Sequence, residues 1–339
     1  MSANYKKLGD YITQRREKNT AINLPICGVC REGLIPPKQQ DADISLYNVF
    51  YKNDFIFNPA RMELNSITLN TEYDKAICSS LYEIFYINDT SKLLPEFLFV
   101  QLKTDNFIRF CEFQGQGSVR EYCRFANISE YPVIVPDLKE QEKIVNTYNA
   151  ITKRIQLKQK INENLEKMAQ CLFEKTIEQK EKNAKLKDIA EINSGKRPEE
   201  MTQGNFPLVG AGDIMGYISN FNYDGKTLVI GRVGTHGKVQ RFSEKCWCSD
   251  NTLTIKSKLY EYTYFILKNI DYSLLNRGST QPLITQTDIR DFDIFYSEND
   301  VKDFEKVVSK LMLAYDENNL EIIKLQALKQ LVISRISEI

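Results

Sequence analysis

Histidine is nearly missing from this chain: His236 stands alone among 339 residues. That excludes a histidine-built metal site and any catalytic pair of imidazoles. No G-x-S-x-G turn offers a nucleophile to the single ring. Tryptophan is equally scarce, with one residue beside 18 Tyr and 18 Phe. Net charge is absent, since 45 Lys and Arg face 45 Asp and Glu. Neutrality argues against a histone-like coat or a polybasic membrane binder, but not against a DNA reader with a few well-placed cations. Mean hydropathy is −0.40, and no apolar run approaches the ~18 residues that a membrane helix needs. Met1–Lys7 has no apolar stretch of the kind a signal peptide carries, so a cytoplasmic location with no membrane partner is expected. The eight cysteines form no secreted framework. Cys27/Cys30 is a C-x-x-C, but Cys246/Cys248 has the wrong spacing for a zinc ribbon, so buried reduced thiols and no metal site are expected. P-loop text is missing. Gly210, Gly212 and Gly216 have the wrong spacing for a dinucleotide loop, and Tyr217–Asn220 does not read as the helix such a loop opens. Asn58-Pro59-Ala60-Arg61 lacks the second proline and the aromatic of the Asn-Pro-Pro-aromatic motif of amino-methyltransferases. With no paired-carboxylate nuclease motif either, the chain reads as a binding module rather than an enzyme.

What is present is a repeat. Lys7-Leu8-Gly9-Asp10-Tyr11-Ile12 returns as Lys185-Leu186-Lys187-Asp188-Ile189-Ala190. Gly117-Ser118 leads to Ile128–Val135, and Gly278-Ser279 leads over the same interval to Ile289–Tyr296. Glu142-Lys143-Ile144-Val145 then pairs with Glu305-Lys306-Val307-Val308. Three matches in one order point to a duplicated unit, each copy a mixed domain followed by a helix.

Each copy ends in a stretch without Gly or Pro. In the first, Ile144, Tyr148, Ile151 and Ile155 are followed by Ile161, Leu165, Met168 and Leu172, a 3/4 spacing with a phase slip near Lys158. In the second, Val308, Leu311, Tyr315, Ile322, Leu325, Val332 and Ile336 make one stripe. These predict helices over Leu138 to about Lys182 and Asp300 to Ile339, each about 55–60 Å long at 1.5 Å per residue. Narrow stripes want a partner, and pairing the two helices antiparallel within the chain is the economical arrangement. Two core helices or an intermolecular coiled coil are the alternatives. The remaining segments hold most of the Gly and Pro and short strand-like runs: Val49–Tyr51, Asp54–Phe57, Tyr82–Tyr86, Thr227–Ile230 and Asn251–Ile255. A helix is expected over Pro95–Phe110 and another over Tyr260–Leu275. The expected fold is α+β, two duplicated domains (1–138 and 185–297) joined by two long antiparallel coiled-coil helices (139–184 with a charged linker, and 298–339).

The most polar Gly-rich stretch, Gly231-Arg232-Val233-Gly234-Thr235-His236-Gly237-Lys238, follows a strand. Its glycines let backbone approach another molecule. Arg suits guanine edges, and Lys suits phosphates. A solvated hairpin is the alternative. Gln114–Arg120 in copy one faces Arg277-Gly278-Ser279-Thr280-Gln281 in copy two, both short polar loops. Two such loops on a rigid spacer would touch two patches of a linear ligand such as DNA.

The layout resembles the specificity subunit of type I DNA restriction–modification enzymes over nearly the whole length. Phe206–Tyr217, Leu228–Gly237 and Tyr131–Ile144 carry the likeness; in copy two Ser297 and Phe304-Glu305 replace the proline and the Glu-Gln pair. The resemblance implies target-recognition domains that each read half of a bipartite double-stranded DNA site. It implies helices that set the gap and dock two DNA adenine methyltransferase subunits, joined by restriction/translocase subunits. S-adenosylmethionine, ATP and Mg would then sit on those partners, with no cofactor and no catalytic residue in this chain. By position it assigns DNA contacts to Arg61, Ser79, Ser80, Gln116, Ser118 and Arg120. In the second domain it assigns Gly231, Arg232, Gly234, Thr235, His236, Lys238, Arg277, Ser279, Thr280 and Gln281. A methylation-only system, a protein-only coiled-coil adaptor and a nuclease with an unrecognised site stay open.

Overall fold

The computed structural model describes residues 5–37, 43–115, 122–233, 238–275 and 283–336. Two compact units form, Met1–Leu157 with Glu321–Ile339, and Lys158–Leu320. The helices are α1 (Pro95–Gln101), α2 (Asp105–Gly115), α3 (Phe125–Ser129), α4 (Leu138–Ile177), α5 (Tyr260–Lys268), α6 (Gln286–Arg290) and α7 (Glu298–Ile336). The units do not follow the linear segments 1–138, 139–184, 185–297 and 298–339, because each unit takes a part of both α4 and α7.

In the first unit an antiparallel sheet runs in the order Ile12–Arg15, Glu83–Ile87, Phe55–Phe57, Ile67–Leu69. A second sheet has the order Gly33–Ile35, Ile26–Cys30, Lys75–Cys78, Asn48–Tyr51. Strand alternation sorts the side chains. Phe55 and Phe57 face the helices with Phe85, whose ring stacks on Phe55 at 4.8 Å, while Ile56 and Ile84 turn to Phe50 and Val29 under the other sheet. The second unit repeats the plan. Its antiparallel sheet runs Ala190–Ser194, Thr252–Ser257, Thr227–Gly231, Val239–Phe242, beside a three-stranded sheet of Ile214–Ile218, Gln203–Val209 and Trp247–Cys248. Leu228, Ile230, Leu253 and Ile255 pack on Tyr262, Phe265 and Phe304, and Val229 faces Val209 and the buried Cys246 and Cys248 thiols.

The duplication is structural as well as textual. Lys6–Lys7 pairs antiparallel with Pro132–Val133, and Ala184–Lys185 pairs with Asp293–Ile294. A one-turn 3₁₀ helix follows in each copy, Leu8–Asp10 and Leu186–Asp188.

The expected strands form within one or two residues, but two helices break. Pro95–Phe110 is divided at Thr104, whose hydroxyl donates to the Gln101 carbonyl at 2.8 Å and accepts the Phe107 N–H at 3.3 Å, capping α2. Tyr260–Leu275 stops at Lys268 and resumes as a 3₁₀ turn, Tyr272–Leu275, after Asp271 accepts the Ser273 N–H. α4 ends at Ile177 rather than near Lys182, since Gln179 takes a left-handed φ of 55°.

Within each unit the long helices pair antiparallel. In the first, Ile151 and Ile155 pack with Ile322, and Arg154 Nε donates to Glu321 at 2.6 Å. In the second, Lys158 donates to Asn318 at 2.7 Å, Asn162 to Asn319 at 2.9 Å, and Phe173 meets Phe304. The phase slip expected near Lys158 is not there. The inward line continues as Ile155, Asn162, Ala169 and Phe173, and it leaves Ile161 48% and Met168 56% exposed. An apolar count skips Asn162, which is buried because Asn318 and Asn319 satisfy its amide. The second stripe holds as expected, with Val308, Ile322 and Ile336 buried.

Gln141 explains why a Glu-Gln pair opens α4. Fully buried, it accepts the Leu94 N–H ahead of α1 and donates to the Lys92 and Pro136 carbonyls. In the second unit the carboxylate of Glu305 accepts the Tyr262 N–H of α5 at 2.7 Å. The sequence pairing set Glu305 against Glu142; by role its counterpart is Gln141, since Glu142 is exposed.

Candidate nucleic-acid interface

In the first unit a cleft of about 800 Å³ opens between the strand Ile26–Cys30, its turn Arg31–Glu32, the 3₁₀ segment Pro59–Leu64 and the turn at Ser79–Tyr82. Asn58 begins the 3₁₀ segment by accepting the Ala60 N–H at 3.1 Å, so Asn-Pro is a cap here. Arg61 leaves the helical run with φ −139° and lies exposed on the cleft wall. Asn65 closes the segment in the left-handed region and donates to the Leu102 carbonyl at 2.7 Å. Ser79 shares the cleft, with its hydroxyl oxygen already accepting the Leu81 N–H at 3.3 Å. Ser80 is exposed and is not part of the cleft lining. Gln116, Ser118 and Arg120 lie outside the described residues. The chain returns at Tyr122, and the Cys123 N–H meets the Pro59 carbonyl at 3.0 Å.

Beneath the cleft the buried Lys103 ammonium donates to the Arg31 and Ile67 carbonyls, at 2.9 and 2.8 Å. Burial, with Arg31 nearby, pushes Lys103 down to about 7. Its two hydrogen bonds hold the Arg31–Glu32 turn that forms one lip of the cleft.

In the second unit Gly231, Arg232 and Lys238 gather at one end of the four-stranded sheet. Gly231 is the buried last residue of its strand, opposite Thr252, rather than a loop residue. Arg232 extends that strand, its N–H on the Asn251 carbonyl at 3.0 Å and its carbonyl accepting the Ile284 N–H at 2.9 Å. Its Nε is shut from water and has no hydrogen-bond partner among the described residues. Val233 bridges to Leu283. Lys238 starts the return strand and forms an ion pair with Asp213, on the Gly210–Asp213 turn. Gly234, Thr235, His236, Arg277, Ser279, Thr280 and Gln281 lie outside the described residues.

The two sites correspond. Cys123 on Pro59 in one unit answers Ile284 on Arg232 in the other, so α3 and α6 start beside the strand end that carries the candidate arginine. The same sheet end exposes Lys196 and Arg197, after the strand Ala190–Ser194. These two were missed in the sequence. Their signal was faint: one Gly-Lys-Arg-Pro turn beyond the second Lys-Leu-x-Asp.

Two copies of one α+β unit, each with an arginine in the connection between the third and fourth strands of its main sheet, define a duplicated two-domain protein. A family model described as the type I restriction modification DNA specificity domain matches residues 34–167 and again 178–331, and the chain belongs to that family. An alignment over 151 residues, which covers 40% of this chain, shows 26% identity to the type I restriction enzyme HindI specificity subunit of Haemophilus influenzae and spans about a third (32%) of that protein. Among solved structures, the type I restriction–modification S subunit from M. genitalium aligns over 99% of this chain and 96% of its own, with TM-score 0.66 and 16% identity, which shows a shared fold. The HsdS subunit from Thermoanaerobacter tengcongensis aligns over 98% of this chain and 96% of its own, with TM-score 0.44 and 16% identity. No helix among the described residues is long and apolar enough to cross a membrane.

Proposed function

We propose that this chain is the DNA-reading subunit of a type I restriction–modification complex. One observation supports the reading: the connection between the third and fourth strands of the main sheet carries an arginine and bonds to the chain just ahead of a short helix, once in each unit of a chain that belongs to the specificity family. Two reading units call for a target in two parts, one per unit. Arg61 and Arg232 read base edges, and Ser79, Ser80 and Lys238 with the polar residues at 116–120, 234–237 and 277–281 add contacts to bases and phosphates. Leu157, Ile161 and Met168 on α4, with Ile323 and Leu328 on α7, are apolar residues left exposed. They offer docking faces for two adenine methyltransferase subunits, to which restriction/translocase subunits add. S-adenosylmethionine, ATP and Mg act on those partners in this reading, and the chain itself supplies positioning rather than catalysis.

Mapping N6-methyladenine in the source genome tests this, and a two-part motif with a fixed gap is the expected result. With that target in hand, Arg61→Ala and Arg232→Ala should each weaken binding by ~1–3 kcal/mol and relax the motif in one half only. A chain that shifts no DNA with its methyltransferase partner present would be an adaptor instead, and unchanged binding by both variants would remove the two assignments.

A further inference from the structure

We propose that Lys196 and Arg197 form a phosphate clamp for the DNA backbone beside the Arg232 edge of the second unit, with no counterpart in the first; the proposal rests on the DNA reading above. The Ser194–Arg197 turn is held by its backbone. Gly195 N–H donates to the Thr252 carbonyl at 3.0 Å, Lys196 N–H to the Cys248 carbonyl at 2.9 Å, and the Trp247 indole N–H donates to the Lys196 carbonyl at 2.7 Å. Gly195 has to be glycine, since a Cβ there would stand 2.1 Å from the Ser249 carbonyl oxygen. The Lys196 peptide is thus fixed on both sides, while the Lys196 and Arg197 side chains lie exposed. Neither has an ion-pair or hydrogen-bond partner among the described residues, although Glu199 and Glu200 follow closely in the chain.

Position gives these cations their ligand. Gly195 and Arg232 bond to Thr252 and Asn251, neighbouring carbonyls at the start of one strand, and approach it from opposite sides. Two strand spacings of about 4.8 Å set the two turns ~10 Å apart. A side chain at Arg232 can then reach a base edge in a major groove ~12 Å wide while the Lys196–Arg197 pair rests on phosphates at its wall. Fixed cations on the backbone and an arginine on the bases is the usual division of labour in DNA readers.

In the first unit the equivalent side chains are held by hydrogen bonds, and Arg15 also by an ion pair. After the strand Ile12–Arg15, Arg15 is bonded to Asp54, Arg16 to Gln14, and Lys18 to the Leu46 carbonyl and Asn48. Among the described residues, the second copy has two cations at this turn whose side chains make no hydrogen bond.

The test measures affinity of the full chain with its methyltransferase partner for a duplex carrying the mapped target, and for an unrelated duplex, over a salt series. Replacing both residues (Lys196→Gln with Arg197→Gln) should weaken both duplexes by the same factor and flatten the slope of log K against log salt by about 1.8, for two phosphates at ~0.9 each. Lys18→Gln should leave that slope unchanged, and the charge-keeping exchange Lys196→Arg with Arg197→Lys should preserve it. Wild-type slope in the double glutamine variant overturns the clamp, as does a flattened slope in the charge-keeping exchange. Loss of methyltransferase capture with the DNA slope intact would assign the pair to an acidic protein surface instead. A wild-type complex that binds no DNA removes the DNA reading first, and the clamp with it.

Discussion

Arg241 joins two carboxylates and two aromatic rings inside the second unit. Its side chain is 7% exposed and that of Glu261 is 2% exposed. The guanidinium forks onto Glu261 at 2.6 and 3.2 Å and onto Asp316 of α7 at 2.8 and 3.1 Å, between the rings of Tyr260 and Tyr264. Arg241→Met fills much of the space but leaves the Glu261 carboxyl without its buried partner. Its remaining counter-charge is Lys226, 4.0 Å away and 59% exposed. Breaking a buried pair from one side costs ~3–5 kcal/mol, mostly from the stranded partner. The double change Arg241→Met with Glu261→Met removes both charges and should recover all but ~1 kcal/mol, since Asp316 at 36% exposure can turn to water. Urea unfolding followed by fluorescence reads this unit specifically, because Trp247 is the chain's one tryptophan and belongs to it. A midpoint shift at constant m-value gives the loss. If Arg241→Met costs under ~1 kcal/mol, or if the double variant is no more stable than the single, then Arg241 and Glu261 do not depend on each other as a buried pair and the reasoning fails.

Two more outcomes follow from buried polar groups. Burial raises Glu305 from an ordinary 4.5 to about 7. The folded state then keeps a proton between those values that the unfolded chain releases, so stability should fall by up to ~3 kcal/mol as pH rises from 4.5 to 7 and level off above it. Glu305→Gln should flatten that decline, and parallel pH profiles for the two proteins would refute the assignment. Gln141→Ala deprives the Leu94 N–H and two carbonyls of their partners in a fully buried site, and should cost ~2–4 kcal/mol. Hydrogen exchange should rise first at 92–98, and protection there equal to wild type would contradict the lock.

The sequence carried the duplication because repeats survive as text when their residues make the same local bonds. Lys-Leu-x-Asp marks a strand and a 3₁₀ turn in both copies. Period-2 runs such as Asp54–Phe57 were legible because one face meets Phe85 and the other Phe50, which forces alternation. The inward line of α4 was not legible past Ile155. There the buried residue is Asn162, and apolarity is a proxy for burial only while the partner helix is apolar too. Opposite Asn162 stand Asn318 and Asn319, so polar residues face each other and the apolar ones nearby turn outward. The site shows the same limit in another form. Arg61 and Arg232 could be picked out by residue type, but Gly231 could not be told from a loop glycine, because pairing with Thr252 is a long-range fact. Lys196 and Arg197 were passed over for the converse reason. A Gly-Lys-Arg-Pro turn is ordinary surface until Thr252, Cys248 and Trp247 are seen to fix its backbone beside Arg232. Lys18, in the matching turn of the other copy, is a lysine of the same type and repeat position, yet Asn48 and the Leu46 carbonyl occupy it. Two cations alike in the sequence therefore differ in what they have left to offer a ligand, and that difference exists only in the folded chain.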